Sequence, residues 1–134
     1  MQIADIQDTQ ITSRDTVEFI AAALDKDKPA LVVFTGDQIK GYGVTLLLGD
    51  REENFKKAFA NFLKPVVDRG IPFTFCFGNH DAQAFGISKE KQFEIYKSFP
   101  GCLPRGATAA LRGLPIIIFS SRTARASGIF SIFT

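Results

Sequence analysis

Three short polar segments carry the side chains that could do chemistry, and each follows an apolar run. They are Asp5-Ile6-Gln7, Gly36-Asp37 and Gly78-Asn79-His80-Asp81. Carboxylate and amide oxygens bind hard divalent cations, and an imidazole exchanges protons near neutral pH. If the carboxylates of Asp5 and Asp37 face each other, their repulsion opposes ionisation unless a cation lies between them. These residue types therefore favour a metal site, for which phosphoryl displacement by two metal ions is a natural use.

The apolar patterns around these segments predict alternating strands and helices. Apolar runs predict strands over residues 1–4, 30–35 and 72–77. Apolar residues at helical spacing predict a helix that Ser13 caps and that ends before Pro29, and further helices over 52–69 and 89–99. This alternation is typical of an α/β fold with a largely parallel sheet and crossover helices.

The predicted fold should bring the polar segments together. In a parallel sheet, ligands bind outside the carboxyl ends of the strands. Each polar segment follows a predicted strand, and each interval between segments accommodates one crossover helix. We therefore expect Asp5, Asp37 and Asn79 to converge on one edge of the sheet.

The order and setting of these motifs resemble a known family. Asp-x-His, Gly-Asp and Gly-Asn-His-Asp, each after a strand, are the first three motifs of the calcineurin-like metallophosphoesterases. The resemblance covers about residues 1–103, and the Gly-Asn-His-Asp string at 78–81 is its most specific part. It implies the amino-terminal half of that family's α/β sandwich, and hydrolysis of a phosphate ester by a metal-bound hydroxide.

The resemblance also implies a role for each site residue. Asp5 would bind the first of two divalent metal ions, Asp37 would bridge both, and Asn79 would bind the second through its amide oxygen. His80 would be catalytic, either stabilising charge on the phosphoryl group or protonating the leaving alkoxide. Asp81 would orient the imidazole of His80.

Two departures from the family pattern leave an alternative open. Gln7 stands where the family usually has a histidine ligand, and an amide oxygen there would favour Mn²⁺ first, or Mg²⁺, over iron or zinc. The family's later histidine ligands have no counterpart, because His80 is the single histidine of the sequence. The alternative is an inactive remnant or a binding module that keeps the sheet and at most one weak metal site.

The charge distribution divides the chain. All 14 acidic residues precede residue 99, whereas residues 99–134 contain four arginines and no lysine. The resemblance implies a partial phosphoesterase domain over 1–103, and the shift predicts an atypical segment over 104–134, degenerate or out of frame. Apolar runs predict strands at 114–120 and 129–133. Scattered arginines without interleaved aromatic residues are a weak basis for nucleic-acid binding, and we expect none.

The composition is that of a globular protein, with 46% hydrophobic and 22% charged residues in a chain of 134. No apolar run reaches the ~18 residues of a membrane span, and residues 1–10 lack the pattern of a signal peptide. Cys76 and Cys102 are too few for a disulfide framework, and Cys76 falls in a predicted strand, where we expect a buried, reduced thiol. These features favour a cytoplasmic protein without membrane contact, and they leave its oligomeric state open.

The loop after Asp37 allows two interpretations. Its glycines, Gly41 and Gly43, flank Tyr42, so the loop could bring Tyr42 or Lys40 near a phosphate group, although a mobile loop is the simpler interpretation. No G-x-G-x-x-G motif follows either of the first two predicted strands, which argues against a dinucleotide-binding fold.

Overall fold

The main sheet has three parallel strands. The computed structural model describes residues 1–11 and 13–103, together with the backbone of 110–111 and 114–115. The strands are β1 (Gln2–Ile3), β2 (Val32–Phe34) and β3 (Phe73–Phe75), and they lie in that order in space. Gln2 pairs with Val33, and Val33 pairs with Thr74. The predicted α/β fold with a parallel sheet is confirmed.

The strands are shorter than predicted, and the chain turns soon after β1 and β2. Strand β2 ends two residues before Gly36, whose φ is +98°. Strand β1 ends two residues before Asp5, which has a φ of +53°. Parallel pairing then resumes for a single residue pair, between Asp8 and Ile39. Pairing between β1 and β2 is therefore interrupted by turns that the apolar pattern does not reveal.

Three helices connect and follow these strands: α1 (Arg14–Asp27), α2 (Arg51–Asp68) and α3 (Lys89–Ser98). Their bounds lie within one or two residues of the predicted ones. The apolar residues that predicted α2 are all buried, and they are Phe55, Phe59, Phe62, Leu63 and Val66. Helix α1 packs against α2, and α2 packs against α3. This is the arrangement that right-handed crossovers give to sequential parallel strands.

An aromatic cluster joins the helices to the sheet. The ring of Phe34 on β2 meets Phe62 of α2 edge to face, with centroids 5.4 Å apart, and meets Phe73 of β3 at 5.9 Å. The ring of Tyr96 on α3 stacks on Phe75 of β3 at 3.8 Å. Each such pair contributes about 0.5–1.5 kcal/mol beyond the burial of its area.

The helix ends differ in part from the prediction. Ser13 occupies the N-cap of α1 as predicted, but its side chain makes no capping hydrogen bond. Asp50 and Ser88 cap α2 and α3, accepting hydrogen bonds from backbone N–H groups three residues further on. Gly70, with a φ of +62°, follows the end of α2, and the helix continues through Pro65.

Two further strands follow, β4 (Ala110–Leu111) and β5 (Leu114–Pro115), which pair antiparallel. The strand predicted at 114–120 is described only at its first two residues, and the one predicted at 129–133 lies outside the described residues. The division between 1–103 and 104–134 stays a prediction. Among the helices of the described residues, none has the length and apolar character needed to cross a bilayer.

Both cysteines are free thiols. Cys102 is buried, and burial raises its pKa to about 11. Cys76 lies one residue beyond β3 and is half-buried rather than buried as expected, and burial and the Asp81 carboxylate raise its pKa.

Candidate active site

The loops after β1 and β2 are joined by their backbones. The Asp5 N–H donates to the carbonyl oxygen of Gly36 at 3.1 Å, and the Gln7 N–H donates to that of Asp37 at 3.0 Å. The first two polar segments therefore lie side by side beyond the carboxyl ends of their strands, as predicted.

Two carboxylates join the loops after β2 and β3. One oxygen of Asp81, Oδ2, accepts from the Asp37 N–H at 3.0 Å and from the Gly78 N–H at 2.6 Å. In the other direction, Oδ1 of Asp37 accepts from the His80 N–H at 2.8 Å. Asp37 and the segment that contains Asn79 and His80 are thus held at one edge of the sheet.

Glycines allow these loops to approach each other closely. A Cβ atom on Gly78 would lie 2.6 Å from Cγ of Asp37, and one on Gly36 would collide with the backbone of Gly78. Any side chain at either position would push the two loops apart. The glycines before Asp37 and Asn79 are therefore required by the contact between their own loops.

The backbone is strained at three of the predicted site residues. Asp5, Gln7 and Asp37 have φ angles of +53°, +47° and +56°. Among the other described non-glycine residues, only Lys28 at the end of α1 has a positive φ. The left-handed conformation costs an L-residue about 1–2 kcal/mol. Such strain is concentrated at functional sites, where the surrounding structure holds it in place.

Burial separates the site residues into two groups. Asp37 and Asp81 are 7% and 5% exposed, whereas Asp5 and Asn79 are exposed to solvent. Burial raises the pKa of Asp81, and the Asp37 carboxylate adds to this effect, although the two amide hydrogen bonds oppose it. The carboxylates of Asp37 and Asp81 are thus covered by the loops that they join, and the side chains of Asp5 and Asn79 face solvent.

The imidazole of His80 has a different partner from the one expected. Its Nδ1 lies 2.9 Å from Oε1 of Gln83, whereas Asp81 was expected to orient it. Asp81 points instead into the protein, where its carboxylate binds the backbone of the neighbouring loops. Gln83 ends the short 3-10 helix Asp81–Gln83, whose turn brings its side chain back to His80. Nothing in the sequence motif indicated Gln83.

Tyr42 contacts two of the predicted site residues. Its hydroxyl donates to Oε1 of Gln7 at 3.2 Å, and its ring centroid lies 5.7 Å from that of His80. The ammonium of Lys40 lies 5.5 Å from the centre of the Tyr42 ring. Both residues are therefore near the predicted site residues, as the first interpretation of this loop expected, and its mobility stays a prediction.

Two buried glutamines support the site from behind, and sequence reasoning missed both. Nε2 of Gln38 donates to the carbonyl oxygens of Gly36 and Ile3. Nε2 of Gln92 on α3 donates to the carbonyl oxygen of Asp81 at 2.9 Å. Each side chain is 1% exposed. Glutamine is rarely buried, so its presence in the sequence gives no signal of such a role.

Comparison with known proteins identifies the family. The family model described as calcineurin-like phosphoesterase matches residues 1–124. The chain belongs to the calcineurin-like phosphoesterase family. The predicted resemblance is therefore confirmed.

Individual phosphoesterase relatives are much longer than the matched region. Phosphatase DCR2 of Saccharomyces cerevisiae is 46% identical over 85 residues, which cover 63% of this chain and 13% of the relative. "Probable inactive purple acid phosphatase 14" of Arabidopsis thaliana is 29% identical over 89 residues, covering 66% of this chain and 20% of the relative. A second Arabidopsis thaliana protein, "probable inactive purple acid phosphatase 28", is 31% identical over 70 residues, or 52% of this chain and 16% of the relative. No solved structure matches the chain.

The predicted metal ligands are all oxygen donors. Four predicted ligand side chains lie in the joined loops, and they are Asp5, Gln7, Asp37 and Asn79. All four offer oxygen, a donor set that fits a hard divalent cation such as Mn²⁺ or Mg²⁺. Within the described part of the chain, no three His, Cys, Asp or Glu residues are grouped so that they could hold a metal ion. The ligand assignment stays a prediction.

Proposed function

We propose that this chain is part of a metal-dependent phosphoesterase that hydrolyses a phosphate ester. The observation that carries the proposal is the hydrogen-bond network of Asp37, Gly78, His80 and Asp81, which fixes the loops after β2 and β3 to each other. A site of this kind needs residues from distant parts of the chain to be held in one geometry. The family membership of the chain supports the same reaction class.

In the proposed function, Asp5, Asp37 and Asn79 hold divalent metal ions. Two ions are expected from the resemblance, with Mn²⁺ favoured and Mg²⁺, iron or zinc as the other candidates. When bound, the metal supplies an activated water and neutralises charge on the phosphoryl group. Gln7 would add a neutral oxygen to the site that Asp5 begins.

His80 is the proposed acid that protonates the leaving oxygen. Because Oε1 of Gln83 is an acceptor, the hydrogen bond between them requires a proton on Nδ1 of His80. The exchangeable proton of the imidazolium is then the one on Nε2, which His80 would deliver to the ester oxygen. Gln83 is a positioning residue in this scheme.

Asp81 is proposed as a positioning residue too. Its carboxylate accepts hydrogen bonds from the amides that flank the site, those of Asp37 and Gly78. Since Asp37 in turn holds the amide of His80, Asp81 sets the places of the bridging carboxylate and of the proposed acid.

A second candidate is a family member that has lost catalysis. Oε1 of Gln7 already accepts a hydrogen bond from the Tyr42 hydroxyl, which competes with metal binding by that oxygen. Two Arabidopsis thaliana relatives are named as probable inactive phosphatases. In this candidate the chain keeps the sheet and binds at most one cation weakly.

Metal retention and turnover separate the two candidates. In the presence of Mn²⁺, we expect the chain to hydrolyse p-nitrophenyl phosphate and to retain manganese on equilibrium dialysis. Asp37→Asn should abolish both, since it removes the proposed bridging charge. Asp25→Asn is the matched control because Asp25 pairs with Arg69 on the helices and is exposed. A wild-type chain without turnover that retains no manganese would favour the inactive candidate.

The proposed substrate is a phosphate ester, and we propose no nucleic-acid or membrane partner. A cytoplasmic location is proposed as well, supported by the free thiols of Cys76 and Cys102.

A further inference from the structure

Tyr42 is an exposed aromatic residue that contacts two of the predicted site residues. Its side chain remains 43% exposed although it contacts both Gln7 and His80. What distinguishes Tyr42 from other exposed aromatic residues, such as Phe19, is its contact with two of the predicted site residues. Its hydroxyl is engaged by Gln7, so the exposed part offers mainly apolar ring surface.

The loop that carries Tyr42 is held on two sides. The Lys40 N–H donates to the carbonyl oxygen of Asp8 at 2.8 Å, which attaches the loop to the segment after β1. On the other side, Gly41 packs so closely on Ala84 that a Cβ atom at Gly41 would lie 2.7 Å from Cα of Ala84. The position of the Tyr42 ring is therefore set by the loops after both β1 and β3.

The ring lies beside the imidazole that is proposed to protonate the leaving group. In the proposed function, Nε2 of His80 protonates the oxygen that departs from phosphorus, so the group attached to that oxygen must lie beside His80. The centroid of the Tyr42 ring is 5.7 Å from that of the imidazole, within the range in which aromatic rings interact. A flat apolar leaving group beside His80 would therefore contact Tyr42.

Phe85 is a second exposed aromatic residue near the point at which the loops after β2 and β3 touch, between Gly41 and Ala84. Phe85, which is 69% exposed, is the next residue after Ala84, just as Tyr42 is the next residue after Gly41. The two loops thus each present one aromatic side chain to solvent directly after the point at which they touch.

From these observations we propose that Tyr42 forms the leaving-group subsite and selects phosphate esters whose leaving group carries an aromatic ring. The inference rests on the proposed phosphoesterase function and names its substrate class. Tyr42 is a specificity-determining residue in this scheme.

Binding of two stable phosphonates tests the subsite without depending on turnover. Benzylphosphonate and butylphosphonate share the charged group and differ in the ring. We expect calorimetric titration of the full chain in Mn²⁺ to give about 3- to 10-fold tighter binding of benzylphosphonate. Tyr42→Leu should remove this preference, Tyr42→Phe should keep it because the ring remains, and Phe19→Leu is a control at an exposed aromatic residue on α1.

The outcomes separate the inference from the proposed function. If both phosphonates bind the wild-type chain with equal affinity, or if Tyr42→Leu keeps the wild-type ratio, the subsite proposal is overturned while phosphoesterase function stands. If Lys40→Met rather than Tyr42→Leu changes the ratio, the selecting group is the ammonium and the proposal also fails. If neither phosphonate binds, the proposed function itself is overturned, and the subsite with it.

Discussion

The aromatic core and the candidate active site are built on the same strands but are held together by different forces. In the core, rings from β2, β3, α2 and α3 contact one another, and the side chains of Phe34, Phe62 and Phe73 are fully buried. At the carboxyl edge of the strands, backbone amides and two buried carboxylates join the loops. There the backbone is left-handed at Asp5 and Asp37.

This difference indicates how the strain of the site is maintained. The aromatic contacts act on large side chains that lie on rigid elements, and they fix where each strand ends. The loops then have short, determined paths, so left-handed residues persist although each is unfavourable alone. Packing of the aromatic core stabilises the fold, and this stability offsets the cost of the left-handed residues that orient the polar groups at the edge of the sheet.

Removing one core ring should have the largest effect on stability. Phe62→Ala deletes a fully buried ring that contacts Phe34, Phe59 and Tyr96. We expect the free energy of unfolding to fall by about 3–5 kcal/mol, because the cavity cannot close. Urea unfolding followed by circular dichroism measures the loss, and Phe19→Ala on the exposed face of α1 is the control, at about 0.5 kcal/mol or less. If Phe62→Ala lost as little free energy of unfolding as Phe19→Ala, the aromatic core would not be the main source of stability.

Filling the gap between the site loops should have the next largest effect. Gly78→Ala places a methyl group against the Asp37 carboxylate, and we expect it to reduce the free energy of unfolding by about 1–3 kcal/mol and to abolish manganese retention. Gly70→Ala is the matched variant, since its Cβ meets open space but its φ of +62° is unfavourable for alanine. It should cost about 1–2 kcal/mol and leave metal binding unchanged. Equal metal binding by both variants would show that the loop contact does not shape the site.

The buried carboxylate at the edge should contribute through hydrogen bonds. Asp81→Ala leaves the amides of Asp37 and Gly78 without their acceptor, with an expected loss of about 1–3 kcal/mol. Asp81→Asn keeps an acceptor oxygen and should recover part of this loss. Urea unfolding of the two variants at neutral pH gives the comparison. If the two variants were equally stable, the network would not depend on an acceptor at this position.

A smaller effect should come from the pH dependence of the core. The pKa of Cys102 is about 11 in the folded protein, above the ordinary value of 9.0, because of burial. Between these values the unfolded chain releases the thiol proton and the folded one retains it, so the free energy of unfolding falls as the pH rises. We expect about 1 kcal/mol between pH 8 and pH 10, with Tyr96, whose pKa burial also raises, acting in the same direction. In Cys102→Ala the fall should be smaller, and an unchanged pH profile would argue against the thiol as its source.

Periodicity and motif order were sufficient to predict the elements and the joining of the polar segments beyond the strands. The buried apolar residues of α2, such as Phe55 and Phe62, recur at helical spacing because they all face the core. The joining of the segments that contain Asp5 and Asp37 follows from the topology of a parallel sheet. These predictions depend on repeating patterns, which a single sequence displays.

The contacts that determine the detailed geometry could not be predicted. Asp5 and Gln7 give no sequence signal of a left-handed backbone, since other residues impose it on them. Gln83 reaches His80 through the turn of the short 3-10 helix, and Tyr42 reaches it because the loop after β2 folds beside the loop after β3. Ser13 lies at a cap position without making the capping bond, because a residue's position along the chain does not fix the direction of its side chain.

The left-handed backbone at Asp37 has a consequence for the chemistry of substitution. Glycine at this position would relax the peptide chain but would remove the carboxylate, and a residue of opposite chirality would relax it but attach the side chain on the other side of Cα. Of these three residues, only L-aspartate aims its carboxylate toward the amide of His80. The direction of the Asp37 carboxylate therefore depends on the L-configuration of the residue that carries it.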